Sequence, residues 1–151
     1  MRSGVRLAVD VGTVRVGVAA SDPTGVLATP VTVIRRDRKA GSDLDAVAAL
    51  VTEHDAIEVL VGLPKTLQGN DSASTTDARD YATALAARVA PVPVLLVDER
   101  LTTVVANRQI RTVGRSSRET RESIDAMAAA VILELALDEE RKTGRTPGVP
   151  A

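Results

Sequence analysis

The sequence has no cysteine, a single histidine (His54) and a single aromatic residue (Tyr81) among its 151 residues. The absence of cysteine excludes disulfide bonds, thiolate metal sites and a cysteine nucleophile. One histidine is too few for a multi-histidine zinc site. A core without Phe or Trp must be aliphatic. The near absence of aromatic rings also disfavours nucleic-acid modules that stack bases on them.

An excess of charge of one sign is lacking too, because 19 basic and 20 acidic residues give a formal charge of −1. Only the distribution of charge can therefore indicate nucleic-acid binding. The longest uncharged run, residues 23–34, has twelve residues and two prolines, so it is too short to span a bilayer. These features predict a cytoplasmic protein with no membrane partner. The length predicts one domain over residues 1–142, followed by a disordered tail at 143–151.

Apolar runs and turn residues predict the order βββαβαβαα. The predicted strands are 6–10, 15–20, 29–35, 57–62 and 93–97. The predicted helices begin at Ser42, Ser74, Thr102 and Ser116, and Ser42 with Asp45 and Ser74 with Asp77 resemble capping boxes. The short turn at 11–14 predicts an antiparallel hairpin. We therefore expect an α/β fold with a mixed five-stranded sheet, three antiparallel strands and then two parallel ones, flanked by helices.

Three acidic residues occupy positions that invite a chemical explanation. Asp10 ends the first strand, and Glu99 follows the buried fifth strand. Asp125 lies beside the small residues Ala128 and Ala129, at the edge of a predicted buried helix stripe made of Ile124, Met127, Ala128, Val131, Ile132 and Leu135. The carboxyl ends of parallel strands meet at one sheet edge, and a helix with small side chains can approach that edge closely. Each acid also has a structural interpretation: a turn residue, a surface ion-pair partner or a solvated helix position.

A cation would remove the repulsion between three clustered carboxylates. All-oxygen ligation without His or Cys favours Mg²⁺ or Mn²⁺ over zinc. Two such ions roughly 4 Å apart can clamp a phosphodiester for in-line hydrolysis. The sequence therefore predicts Asp10, Glu99 and Asp125 as catalytic residues and metal ligands.

Four motifs in this order resemble the YqgF/RuvX family, described as Holliday-junction resolvase-like nucleases and as nucleases of precursor 16S ribosomal RNA. They begin at Asp10 (DVGTVRVGVA), Val61 (VGLP), Asp98 (DERLTT) and Ile124 (IDAMAA). The resemblance covers residues 7–138 and implies a ribonuclease-H-like fold. It also implies that the acidic triad of the family falls on Asp10, Glu99 and Asp125.

Basic residues lie between the second and third acids, and an arginine begins the second strand. We expect these side chains to contact substrate phosphates; the candidates are Arg15, Arg100, Arg108 and Arg111. Arg15, opposite Asp10, has the alternative role of orienting that carboxylate. A solvated helix face is the alternative for the others.

Several functions stay open at this stage. A metal-dependent nuclease is favoured, with precursor ribosomal RNA ahead of branched DNA as the nucleic-acid partner, and a homodimer is compatible with the sequence. Asp10 to Thr13 also matches the phosphate loop of actin-like and sugar-kinase-like ATP-binding proteins, but those need two cores. A non-catalytic interaction module on the same fold is the third alternative.

Overall fold

The computed structural model describes residues 1–65, 68–98 and 118–151. The predicted helix over 102–113 lies outside these ranges. The elements in chain order are β1 (Arg6–Val11), β2 (Arg15–Ser21), β3 (Ala28–Arg35), α1 (Ser42–Glu53), β4 (Glu58–Leu63), α2 (Ala73–Val89), β5 (Val94–Asp98), α3 (Arg118–Thr143) and β6 (Val149–Pro150).

The strands form one sheet in the order β3-β2-β1-β4-β5-β6. β1, β2 and β3 pair antiparallel, whereas β1, β4 and β5 are parallel, so the predicted mixed sheet is confirmed. The sheet has six strands rather than five, because β6 pairs antiparallel with β5. β6 lies within the stretch predicted to be disordered. A two-residue strand has no alternating pattern to detect, and it is held by backbone hydrogen bonds to its neighbour.

Helices cover both faces of the sheet and bury two apolar clusters. One cluster lies between the sheet and α1 and α2, and it includes Leu7, Val9, Val16 and Tyr81. The other lies between the sheet and α3. Since side chains alternate along a strand, each residue of β1 and β2 can be assigned to one of the two faces.

The face that α3 turns to the sheet is lined by small side chains. Ala8 and Ala19 on the strands and Ala129 on the helix are fully buried. Leu135, which the sequence pattern placed in the buried stripe, is 36% exposed. The buried face is therefore rotated from the predicted one. Its buried residues include Ala129 and Ala136 together with the larger Ile132, Leu133 and Leu137.

The helix starts differ from the predicted capping boxes. α2 is capped by Ser72, whose hydroxyl accepts from the Thr75 backbone, and Asp77 takes no part in that cap. The cap of α1 is Gly41 with no side-chain hydrogen bond. Both predicted boxes were wrong because each helix cap lies earlier than predicted, so that Ser42 and Ser74 lie inside the first turn. The acids of the two predicted boxes pair instead with distant arginines.

A buried ion network closes the end of the sheet at which β1 and β4 begin. Arg6 and Glu58 are fully buried, and the carboxylate of Glu140 near the end of α3 lies 3.0 Å from the Arg6 guanidinium. Arg2 joins both acids, at 2.9 Å from Glu58 and 2.6 Å from Glu140. The network therefore fixes the C-terminal part of α3 to the sheet.

We expect Glu140→Gln to lower the free energy of unfolding by about 3 kcal/mol, because it leaves the buried Arg6 charge poorly compensated. Urea denaturation at pH 7 measures this loss. The matched control is Glu139→Gln, an exposed neighbour whose change should stay within about 0.5 kcal/mol. Equal losses in the two variants would contradict the importance of the network.

Candidate active site

Asp10 lies near the carboxyl end of β1 on the face that α3 covers. Its neighbour two residues earlier, Ala8, packs in the α3 cluster, and side chains two positions apart share a face. Asp10 stands opposite Gly17 of β2 in the antiparallel ladder. The residue beside the acid in the sheet therefore has no side chain of its own.

Gly17 lies directly against the backbone of α3. A Cβ atom added there would overlap the backbone carbonyl of Asp125 and lie 3.1 Å from the nitrogen of Ala126. The helix backbone therefore occupies the space that any other residue would need. This approach brings Asp125 to the edge of the sheet that also carries Asp10.

Asp125 is held in place by an ion pair with Arg15. The Nε of Arg15 donates to Oδ2 of Asp125 at 2.7 Å, and both side chains are about one-third exposed or less. Arg15 therefore contacts Asp125, the acid of α3. The sequence alone suggests either that Arg15 orients Asp10 or that it contacts a phosphate. The guanidinium fixes one carboxylate oxygen of Asp125.

The environment of Asp10 disfavours its charged form. Burial raises the pKa of Asp10, and the negative charge of Asp125 raises it further, to about 6. An acid loses hydration when it is buried, and a second carboxylate nearby adds repulsion. Two interacting carboxylates at one edge of the sheet are an arrangement that a bound cation would relieve.

The third predicted acid, Glu99, lies outside the described residues, as do Arg100, Arg108 and Arg111. The strand that precedes Glu99 ends at the same edge, because β1, β4 and β5 are parallel. β4 lies between β1 and β5, so the strand that carries Asp10 and the strand that precedes Glu99 are not neighbours. Within the described ranges, no cluster of three or more potential metal ligands occurs.

The donor set fits a hard divalent cation. Asp10 and Asp125 supply carboxylate oxygens, the ligands that Mg²⁺ and Mn²⁺ prefer. His54 ends α1, where its backbone N–H donates to Leu50. That helix end precedes the start of β4, at the opposite end of the sheet. The single imidazole of the chain is therefore not a ligand candidate here.

A second network, which the sequence did not predict, holds the turn that follows Asp10. Arg36 donates to the Gly12 carbonyl at 2.8 Å and to both carboxylate oxygens of Asp77. Arg38 joins Asp77 to the Thr13 carbonyl. The hydrogen bonds from Arg36, followed by those from Arg38, lower the pKa of Asp77 to about 2 although burial opposes the shift.

A signal for this network was present in the strand pattern. Ile34 packs toward the α1 and α2 core, and alternation places Arg36 on the same side. A cation on a core face requires a carboxylate partner. The sequence alone does not identify that partner as Asp77, 41 residues later in the chain.

We expect Gly17→Ala to destabilise the protein by about 2 kcal/mol, because the added methyl group meets helix backbone, which cannot rotate away as a side chain can. The same change moves Asp125 away from Asp10. Thermal or urea denaturation measures the first effect. A variant as stable as the wild type would contradict the close approach of α3 and β2.

A second expectation concerns the pH dependence of stability without metal. The folded-state pKa of Asp10, about 6, exceeds the ordinary value near 4, so the folded protein retains this proton better than the unfolded chain. The wild type should therefore lose stability as pH rises from about 4 to 6. Asp10→Asn removes this charge and should be more stable than wild type at pH 7 by up to about 3 kcal/mol.

Urea denaturation in a chelator at pH 4, 5, 6 and 7 measures the difference between the two proteins. The gained stability should disappear below about pH 4, where the wild-type carboxyl is protonated in both states. The control is Asp80→Asn, an exposed acid on α2. A constant difference at every pH would refute the assignment to Asp10.

The sequence of this chain is similar to that of a known protein family and of several named proteins. The family model RuvX, Holliday junction resolvase, matches residues 4–139. A protein of Mycolicibacterium paratuberculosis named "Putative pre-16S rRNA nuclease" is 54% identical over 145 residues, covering 96% of this chain and 86% of its own. One of the same name from Thermobifida fusca is 53% identical over 155 residues, covering 98% and 96%.

Solved structures of Thermus thermophilus RuvC share the architecture. RuvC in complex with a Holliday junction substrate matches with a TM-score of 0.60 at 16% identity, over 98% of this chain and 99% of that one. A second RuvC structure from the same organism gives the same TM-score. The likeness confirms the predicted ribonuclease-H-like fold. Together with the family match and the close relatives, it leads to one conclusion: this chain belongs to the RuvX family.

Proposed function

We propose that this protein is a divalent-metal-dependent nuclease that hydrolyses phosphodiester bonds in precursor 16S ribosomal RNA. The observation that carries the proposal is the meeting of Asp10 and Asp125 at one edge of a ribonuclease-H-like sheet, enforced by the contact of Gly17 with α3. The family membership and the names of the relatives support the same reaction class. The relatives' names favour ribosomal RNA as the substrate.

In this proposal, Asp10, Asp125 and Glu99 would hold Mg²⁺ or Mn²⁺, with two ions as the expected number. When bound, the ions supply Lewis-acid stabilisation of the charge that develops on the phosphoryl oxygens. Arg15 keeps the Asp125 carboxylate oriented through its 2.7 Å hydrogen bond. Arg36 and Arg38 hold the turn after Asp10 and so limit the movement of that carboxylate.

Phosphate contacts would be shared with the arginines beyond β5. We keep Arg100, Arg108 and Arg111 as proposed substrate-binding residues because they follow the acid Glu99 closely in the chain. We expect these arginines to contact phosphate groups, because phosphate and sugar oxygens accept most protein–nucleic-acid hydrogen bonds. A cytoplasmic location and a homodimer belong to the same proposal. No helix in the described ranges has the length and apolar character needed to cross a membrane.

Branched DNA is the second candidate substrate. The description of the family model as a Holliday junction resolvase favours it. Hydrolysis assisted by metal ions works on either backbone, so the acids alone do not separate RNA from DNA. Contacts to the 2′-hydroxyl distinguish the two.

The deciding experiment compares cleavage of a precursor 16S RNA fragment and a four-way DNA junction, side by side, in Mg²⁺, Mn²⁺ or chelator. We expect metal-dependent cleavage of the RNA and at least a hundredfold loss in Asp10→Asn, Glu99→Gln and Asp125→Asn, because each amide retains the shape but loses the charge that binds metal. The control Asp80→Asn should retain wild-type activity.

Two results would count against the proposal. Cleavage of the junction alone would transfer the substrate assignment to branched DNA. Full activity in chelator, or in any of the three amide variants, would contradict the metal site or the role of that acid.

A further inference from the structure

Two arginines stand side by side at the catalytic end of the sheet. Arg15 begins β2, Arg35 ends β3, and the two are direct partners in the antiparallel ladder. Side chains of directly opposed residues leave the sheet on the same face. Arg15 points to the α3 face, since its guanidinium bonds to Asp125. Arg35 therefore leaves from the face that carries Asp10 and Asp125.

Stability does not explain this pair. Like charges directly opposite each other on two strands are destabilising. Arg15 is engaged with Asp125, whereas Arg35 is exposed and, within the described part of the chain, has no ion pair or side-chain hydrogen bond. A local conflict of this kind is expected where function rather than folding selects the residue.

The next residue shows the contrast. Arg36 lies on the opposite face, where its side chain is 8% exposed and is paired with Asp77. It also lies 5.1 Å from the centre of the Tyr81 ring. Arg36 thus has a clear structural role, and Arg35 lacks the contacts that would give it one.

The position of Arg35 suits a phosphate on a base-stacked nucleic-acid strand. β3 is two strands away from β1 in the sheet, which corresponds to about 10 Å at the usual strand spacing. A nucleic-acid strand advances about 3.4 Å for each nucleotide in a duplex. A strand that crosses β2 and β3 would therefore bring to Arg35 a phosphate about three nucleotides from the one at Asp10.

We propose that Arg35 is a substrate-binding residue that contacts a backbone phosphate about three nucleotides from the cleaved bond. This inference rests on the proposed nuclease function, because the direction of the strand is taken from Asp10 and Asp125. Arg15 is then a positioning residue for Asp125, and Arg35 provides the phosphate contact on this side of the site.

The test measures binding of a labelled single-stranded RNA from the precursor 16S sequence by fluorescence anisotropy at several salt concentrations. All proteins carry Asp10→Asn to prevent cleavage. We expect Arg35→Gln to weaken binding about tenfold at low salt, as for the loss of one charged hydrogen bond. The slope of log affinity against log salt should become shallower by about 0.7.

Two further variants serve as controls. Arg35→Lys retains a point charge that can bind phosphate. The slope of log affinity against log salt should therefore be the same for this variant as for the protein that retains Arg35. Arg145→Gln removes an exposed arginine in the segment between α3 and β6, and β6 is the strand at the opposite side of the sheet from β3; this change should leave the slope unchanged. The Tm of the Arg35→Gln variant should equal or exceed that of the protein that retains Arg35, because the repulsion between Arg35 and Arg15 is removed.

The outcomes separate the two proposals. An unchanged salt slope in Arg35→Gln, or a fall in affinity accompanied by a lower Tm, would overturn the role of Arg35. A protein that cleaves neither RNA nor junction DNA with its native Asp10 would overturn the nuclease function itself. When the RNA is shortened by three nucleotides on the side that would reach Arg35, the Arg35→Gln variant and the protein that retains Arg35 should bind it with equal affinity. A difference in affinity that persists would overturn the proposed contact distance.

Discussion

The arrangement of Asp10 and Asp125 depends on the contact between two backbones, that of β2 at Gly17 and that of α3 at Asp125. A Cβ atom on Gly17 would overlap the carbonyl of Asp125, so this contact needs the absence of a side chain on one partner. Ala8, Ala19 and Ala129 extend the same narrow fit along the helix. The two acids can meet because the residues between them are small.

Opposite charges are paired at one end of the sheet, whereas like charges lie close together at the other end. At the end where β1 and β4 begin, Arg2, Arg6, Glu58 and Glu140 compensate one another in a network that fixes α3. At the other end, Asp10 lies near Asp125 and Arg15 lies opposite Arg35. The first arrangement favours folding, and the second opposes it locally. The network of two arginines and two glutamates is balanced in charge and can offset the cost of the site.

Much of this fold follows from the sequence alone, because apolar runs and short turns determine which strands pair antiparallel. The position of Asp10 at a strand end and the small residues beside Asp125 also predict that the acids lie near one edge. The partner of Asp77, the rotation of α3 and the strand β6 do not follow, since each depends on contacts between distant segments. Capping motifs misled the interpretation because the same acids can serve a helix end or a distant arginine.

Tyr81 gives this architecture an intrinsic optical reporter. It is the only aromatic side chain of the chain, it is 4% exposed, and the guanidinium of Arg36 lies over its ring. Arg36 in turn bonds to the Gly12 carbonyl, two residues after Asp10. The tyrosine emission of the unlabelled protein therefore originates from a single site, one side chain away from the turn that follows Asp10, and no tryptophan obscures it.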